Sequence, residues 1–151
     1  MEALINVSNF TGSRVVLGRL GPGPESAKIS YAIRILNGNI RADFNSGAVF
    51  SVSTSNYALT LNTWYQFTYV FNNTSNNDII SYVNGQYSST ATHSYTSLLN
   101  SSTDLYIGTY NDGEFAQYFS GKMGIVRLYS SALSASDVSK NFEANRGLYG
   151  I

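Results

Sequence analysis

Apolar residues in this chain recur mostly at every second position, the period of a strand with one buried face. In Lys28–Leu36, the side chains of Ile29, Tyr31, Ile33 and Ile35 fall on one side. Asn37-Gly38 follows, a pair favoured in two-residue hairpin turns. Beyond it Ile40, Ala42 and Phe44 alternate with Arg41, Asp43 and Asn45, so this hairpin is the clearest in the sequence. A second hairpin is expected where Ile79–Val83 runs into Asn84-Gly85. Trp64–Phe71 places Tyr65, Phe67, Tyr69 and Phe71 together, and Trp64, which begins a central strand, is expected to be largely buried. With Ala3–Val7, Arg14–Leu20, Ala48–Val52, Leu105–Gly108 and Met123–Tyr129, the pattern amounts to about nine or ten short strands. That predicts an all-β fold, an antiparallel β-sandwich or jelly roll.

One helix is expected, near the C-terminus. Ser134-Ala-Ser-Asp137 reads as a capping box, with Ser134 at the N-cap and Asp137 at the third helical position. Leu133 and Val138 have the spacing of a hydrophobic staple, and Val138 and Phe142, four apart, should face the sheet together. Gly147 is the expected stop. Gly21-Pro-Gly-Pro24 reads as a rigid loop and Asn72–Asn77 as an exposed polar one. No repeat or linker divides the chain, so residues 1–151 are taken as a single domain.

The 151 residues include nine basic and nine acidic side chains and no cysteine. Disulfides and thiolate metal sites are thereby excluded. Without a basic run, nucleic acid is not an expected partner. No segment approaches the ~18–20 apolar residues of a membrane-spanning helix, and Met1–Phe10 does not read as a signal peptide. Abundant Tyr, Asn, Ser, Thr and Gly suit short strands, many turns, and surfaces that bind by stacking and neutral hydrogen bonds.

Several motifs resemble laminin-G-like domains, of the concanavalin A-like lectin/glucanase kind. Thr63-Trp64-Tyr65-Gln66-Phe67 is similar to a characteristic strand of that family, and Tyr82-Val83-Asn84-Gly85 to its hairpin. Leu105-Tyr-Ile-Gly108, Phe119-Ser-Gly121 with Ile125-Val-Arg-Leu-Tyr129, and Ala132-Leu133-Ser134 follow in the family's order. The resemblance covers roughly residues 60–135. The tail Asn141–Gly150 resembles the endings of such domains in bacteriophage structural proteins. Gly124 stands where the family often has Asp, and Glu2–Val7 matches a segment that an N-terminal strand normally precedes. The resemblance therefore implies a concanavalin A-like jelly roll that begins late. Residues 1–7 would then form a bare edge, ready to pair with another chain in a homo-oligomer.

The fold hosts glycosidases as well as binders. A retaining glycosidase needs two carboxylates about 5–5.5 Å apart. Of the nine acids only Asp112 and Glu114 are two positions apart, and they lie in a turn-like stretch. His93 is the only histidine and has no G-x-S-x-G nucleophile elbow to serve. No catalytic residue is assigned. Sugar binding would use exposed aromatics beside neutral amides; Tyr110, Asn111, Asp112, Phe115 and Tyr118 are the candidate ligand residues, with Asn56 and Tyr57 in another loop. Calcium, the one metal in question, would use Asp112 and Glu114, with Asn77 and Asp78 as a second cluster. Five Asn-x-Ser/Thr sequons begin at Asn6, Asn9, Asn72, Asn73 and Asn100.

The expected function is a non-enzymatic virion surface or fibre module at a virion surface or outside the cell. It would bind glycans, other virion proteins or copies of itself. The alternative is a lectin-like carbohydrate- or protein-binding module of a secreted cellular protein. A glycosidase is the third reading.

Overall fold

The computed structural model describes residues 1–21, 29–47, 50–52, 57–73, 77–94, 97–100, 102–111 and 116–151. Two antiparallel sheets face each other, the sandwich that the alternation predicts. The strands are β1 (Glu2–Val7), β2 (Ser13–Leu20), β3 (Ile29–Leu36), β4 (Asn39–Asn45), β5 (Phe50–Val52), β6 (Tyr57–Ala58), β7 (Trp64–Asn72), β8 (Asp78–Val83), β9 (Gln86–Thr92), β10 (Leu105–Ile107) and β11 (Gly121–Arg127); helix α1 (Ala135–Tyr149) follows. One sheet runs β11-β1-β7-β8-β9; the other runs β10-β2-β3-β4-β5, with β6 also on β4.

The β3–β4 hairpin turns its alternating apolar face inward, except that Ile29 packs instead with Val15, Leu20, Ala32 and Tyr110. Ile33, Ile35, Ile40, Ala42 and Phe44 of the β3–β4 hairpin pack against Ala3, Ile5, Phe67, Tyr69 and Ile79 of the other sheet. Both hairpin turns adopt left-handed backbone at each central residue: Asn37 (φ 48°) with Gly38 (φ 82°), and Asn84 (φ 49°) with Gly85 (φ 74°). This is the two-residue turn whose twist matches the strands it joins. Asn84 Oδ1 also accepts from the Gln66 amide at 2.9 Å, which pins the second turn to β7.

Three expectations are corrected. First, β1 is no free edge. It pairs with β11 on one side and with β7 on the other, and Leu4 and Ile5 are buried inside the chain's own fold. The proposed strand addition at residues 1–7 loses its basis, because the partner that seemed missing upstream comes from β11, far downstream. Second, Trp64 is only half-buried. Its neighbours Tyr65 and Phe67 take the inner face, so alternation puts Trp64 outside, edge-on to Tyr149 of α1 with ring centroids 4.7 Å apart. Third, α1 runs through Gly147 and closes at Gly150, which adopts φ 69° and donates its amide to Arg146 O.

The helix start behaves as read. Ser134 Oγ accepts from the Asp137 amide at 3.2 Å, and Asp137 Oδ2 accepts from the Ser134 amide at 3.1 Å. The Ser134 hydroxyl, which donates to Asp137 Oδ2 at 2.6 Å, and then the Ser134 amide hold the Asp137 carboxyl below its ordinary pKa. Val138 is fully buried and packs with Val70, Tyr82 and Leu133, as a staple requires. Phe142 closes over the second hairpin: a Cβ at Gly85 would come within 2.8 Å of its side chain.

Candidate functional site

The outer face of the first sheet is occupied by α1. Glu2 points to that face and is completely buried. Its carboxylate receives Arg127 Nη1 at 2.5 Å, Thr68 Oγ1 at 3.3 Å and Asn141 Nδ2 at 3.2 Å. Asn141 also donates to the Tyr129 hydroxyl at 2.8 Å, and Asn145 Nδ2 to the Asn141 carbonyl at 2.5 Å. The helix thus docks through a buried carboxylate with several donors, which burial of such a charge demands.

The opposite sheet presents Arg34, Arg41 and Asp43 on its outer face. Arg34 and Arg41 stand directly across the hairpin. Arg34 Nε donates to Asp43 Oδ2, while Arg41 Nε lies 3.2 Å from Oδ1, an ionic contact rather than an aligned hydrogen bond. Beside them Tyr110 packs with Val15, Leu20, Ile29 and Ala32.

That packing decides part of the rim anticipated around residues 110–118. Tyr110 is only 6 % exposed, and its hydroxyl donates to Gly21 O at 2.8 Å, so it is a core residue. Tyr118 is 51 % exposed and accepts from Asn111 Nδ2 at 3.1 Å. Asp112, Glu114 and Phe115 lie outside the described residues, as do Asn56 and the Pro22–Pro24 loop. Tyr57 is a packing residue, edge-on to Tyr65 and Phe67. Asn77 takes φ 50° and Asp78 opens β8, plain turn chemistry. His93 stacks on Phe71 at 4.6 Å. Among the described residues no three His, Asp or Glu side chains converge as a metal site would need.

A cleft of about 440 Å³ opens elsewhere, at one end of the sandwich. Its floor is built where the sheets end: Tyr31 and Phe44 from the β3–β4 hairpin, Tyr69 and Phe71 from β7. Leu98, Leu128 and Met1 wall it, and its polar lining is Asn72, Asn73, Tyr129, Ser130 and Ser131. Phe71 stacks on both Phe44 and His93, so aromatic contacts continue beneath the floor. Burial and the Glu2 carboxylate raise the Tyr129 phenol above its ordinary pKa, which keeps its proton. The Met1 amine donates to Tyr69 O at 2.9 Å, and burial lowers its pKa to about 6. The size is that of a small-molecule site, and the lining has the mix of apolar walls and few polar groups usual there.

None of these residues was marked as a site from the sequence. A signal existed: in Tyr69-Val-Phe71-Asn72-Asn73 a strand's inward aromatics run directly into two amides. What the alternation could not show is that residues 98 and 128–133 close over that strand end.

The fold has relatives of known structure. A protein of Bacteroides ovatus, provisionally assigned to carbohydrate binding, superposes with a TM-score of 0.70 at 22% identity over 92% of this chain and 39% of its own. The CBM40 of the Ruminococcus gnavus IT-sialidase, bound to α2,3-sialyllactose, superposes with 0.73 at 13% identity, over 93% of this chain and 80% of its own. A heptameric SAP-like pentraxin of Limulus polyphemus gives 0.62 at 14% identity, over 91% and 66%. At these identities the likeness is one of fold; this chain spans well under half of the Bacteroides protein. No curated protein matches in sequence. The family model of concanavalin A-like lectins and glucanases matches residues 1–139, and the chain belongs to that superfamily.

Proposed function

We propose that this domain is a non-catalytic carbohydrate-binding module that receives its ligand in the end cleft. One observation carries the reading: apolar and aromatic side chains form the floor and walls, while amides and hydroxyls form the polar lining. A sugar has the matching surface, with C–H faces that pack on rings and hydroxyl edges that exchange hydrogen bonds. The likeness to carbohydrate-binding folds supports it.

A catalytic role has no support at this site, since no carboxylate lines the cleft among the described residues. Glu2 and Asp43 are held by arginines on opposite outer faces, Asp137 holds the helix cap, and Glu143 pairs with Arg146. We place the module outside the cell or on a virion surface, where glycans are displayed; the resemblance of Asn141–Gly150 to phage domains supports the virion setting. Self-association would have to use an edge other than β1.

Titration against a glycan array tests the proposal. Ser131→Trp, at an exposed position on the cleft lining, should abolish binding with an unchanged melting temperature. Tyr118→Ala should leave binding intact, and the glycans should be recovered uncleaved. Binding that survives the tryptophan but is lost with Tyr118→Ala would move the site back to the 110–118 rim.

A further inference from the structure

We infer that the cleft selects neutral saccharides and rejects acidic ones; this rests on the carbohydrate-binding reading and names its ligand class. Among the described residues, none of the side chains lining the cleft is charged. A carboxylate or sulfate entering it would lose water without meeting a counter-charge, and an unpaired buried charge is costly. The hydroxyls and amides can hydrogen-bond an anion, but the described lining offers no cationic side chain to offset its desolvation.

The nearby cations are already committed. Arg127 precedes Leu128 of the wall, and its guanidinium is engaged by protein partners: it donates to Glu2 at 2.5 Å and also hydrogen-bonds the Tyr129 phenol. Arg34 and Arg41 are engaged with Asp43 on the outer face of the other sheet. Arg19 Nε donates to Thr103 O at 3.0 Å. The Met1 amine is at the wall, but its hydrogen bond to Tyr69 O faces it into protein. The described lining of the cleft is thus neutral, although the chain carries nine basic residues in all.

The fold neighbour captured with sialyllactose makes this a discriminating claim, because an acidic glycan is accepted on the same scaffold. Neutrality also predicts weak dependence on salt, since no ion pair is there to screen.

Matched pairs of neutral glycans and their sialylated or sulfated forms, printed on one array, supply the test. The wild-type chain should favour the neutral member by on the order of tenfold or more, the cost of one poorly compensated polar group. Ser130→Lys, at an exposed lining position, should narrow that ratio by adding a cation without disturbing the core. Equal or tighter binding of the acidic members by the wild type would overturn the inference while leaving the carbohydrate reading standing. Failure of every glycan to bind would sink both. A ratio that Ser130→Lys leaves unmoved would show that neutrality of this cleft does not set the preference, and would overturn the inference.

Discussion

The two sheets each carry a fully buried carboxylate on the outer face, and they neutralise it differently. Asp43 is met by Arg34, nine residues away across one hairpin, and by Arg41, two residues back on the same strand. Glu2 is met by Thr68, Arg127 and Asn141, which come from β7, β11 and α1. The first charge is satisfied as soon as the β3–β4 hairpin forms. The second waits for the two ends of the chain to meet. A buried ion is tolerable only with its partners in place, so Glu2 makes closure of the first sheet and docking of α1 a single event.

Three substitutions probe that contrast, taken from the largest expected effect. Asp43→Ala removes the carboxylate that pairs with Arg34, whose side chain is only 4 % exposed. It should cost about 3–5 kcal/mol in urea melts, the range for breaking a buried pair; a loss under about 1 kcal/mol would mean that the arginine escapes to water. Glu2→Ala should cost less, about 2 kcal/mol, because Arg127 is 36 % exposed and can rehydrate. Its signature is regional: amide exchange should quicken across Ala135–Tyr149 and β11 while the β3–β4 hairpin keeps its protection. Uniform acceleration throughout the protein would contradict the separation drawn between the two charges.

The third runs the other way. A Cβ at Gly147 would meet nothing within 4 Å, and the residue is helical, in the last turn of α1. Gly147→Ala should therefore stabilise by roughly 0.5–1 kcal/mol, seen as a higher melting temperature. No gain would indicate that the last turn of α1 is frayed and contributes little.

Much of the architecture is legible because its determinants are local. The β3–β4 hairpin needs only alternation and Asn37-Gly38, and the start of α1 needs only Ser134 and Asp137. The helix end was misread for a reason of the same scale. Glycine at 147 and at 150 are equally plausible stops, and the choice is made by Tyr149 packing edge-on against Trp64, a contact 85 positions away in the chain. Trp64 itself was misplaced because its size suggested core, whereas the parity of β7 gives the inner face to Tyr65, Phe67 and Tyr69. Of the rim anticipated at 110–118, Tyr110 went to packing because its hydroxyl found Gly21 O.

The sequence by itself determined the strands, the two tight turns, the cap of the helix and the resemblance to a superfamily. Each of these depends on residues within one hydrogen-bonded turn or one strand period. Tertiary structure decided which strand is an edge, which charge is buried, and where a ligand can enter. β1 became an interior strand only when β11 arrived from beyond residue 120. The end cleft exists only because residues 128–133 and Leu98 close over the inward aromatics of β3, β4 and β7. Such features rest on contacts between segments distant in the chain, and hydrophobic periodicity, which is blind to pairing, does not encode them.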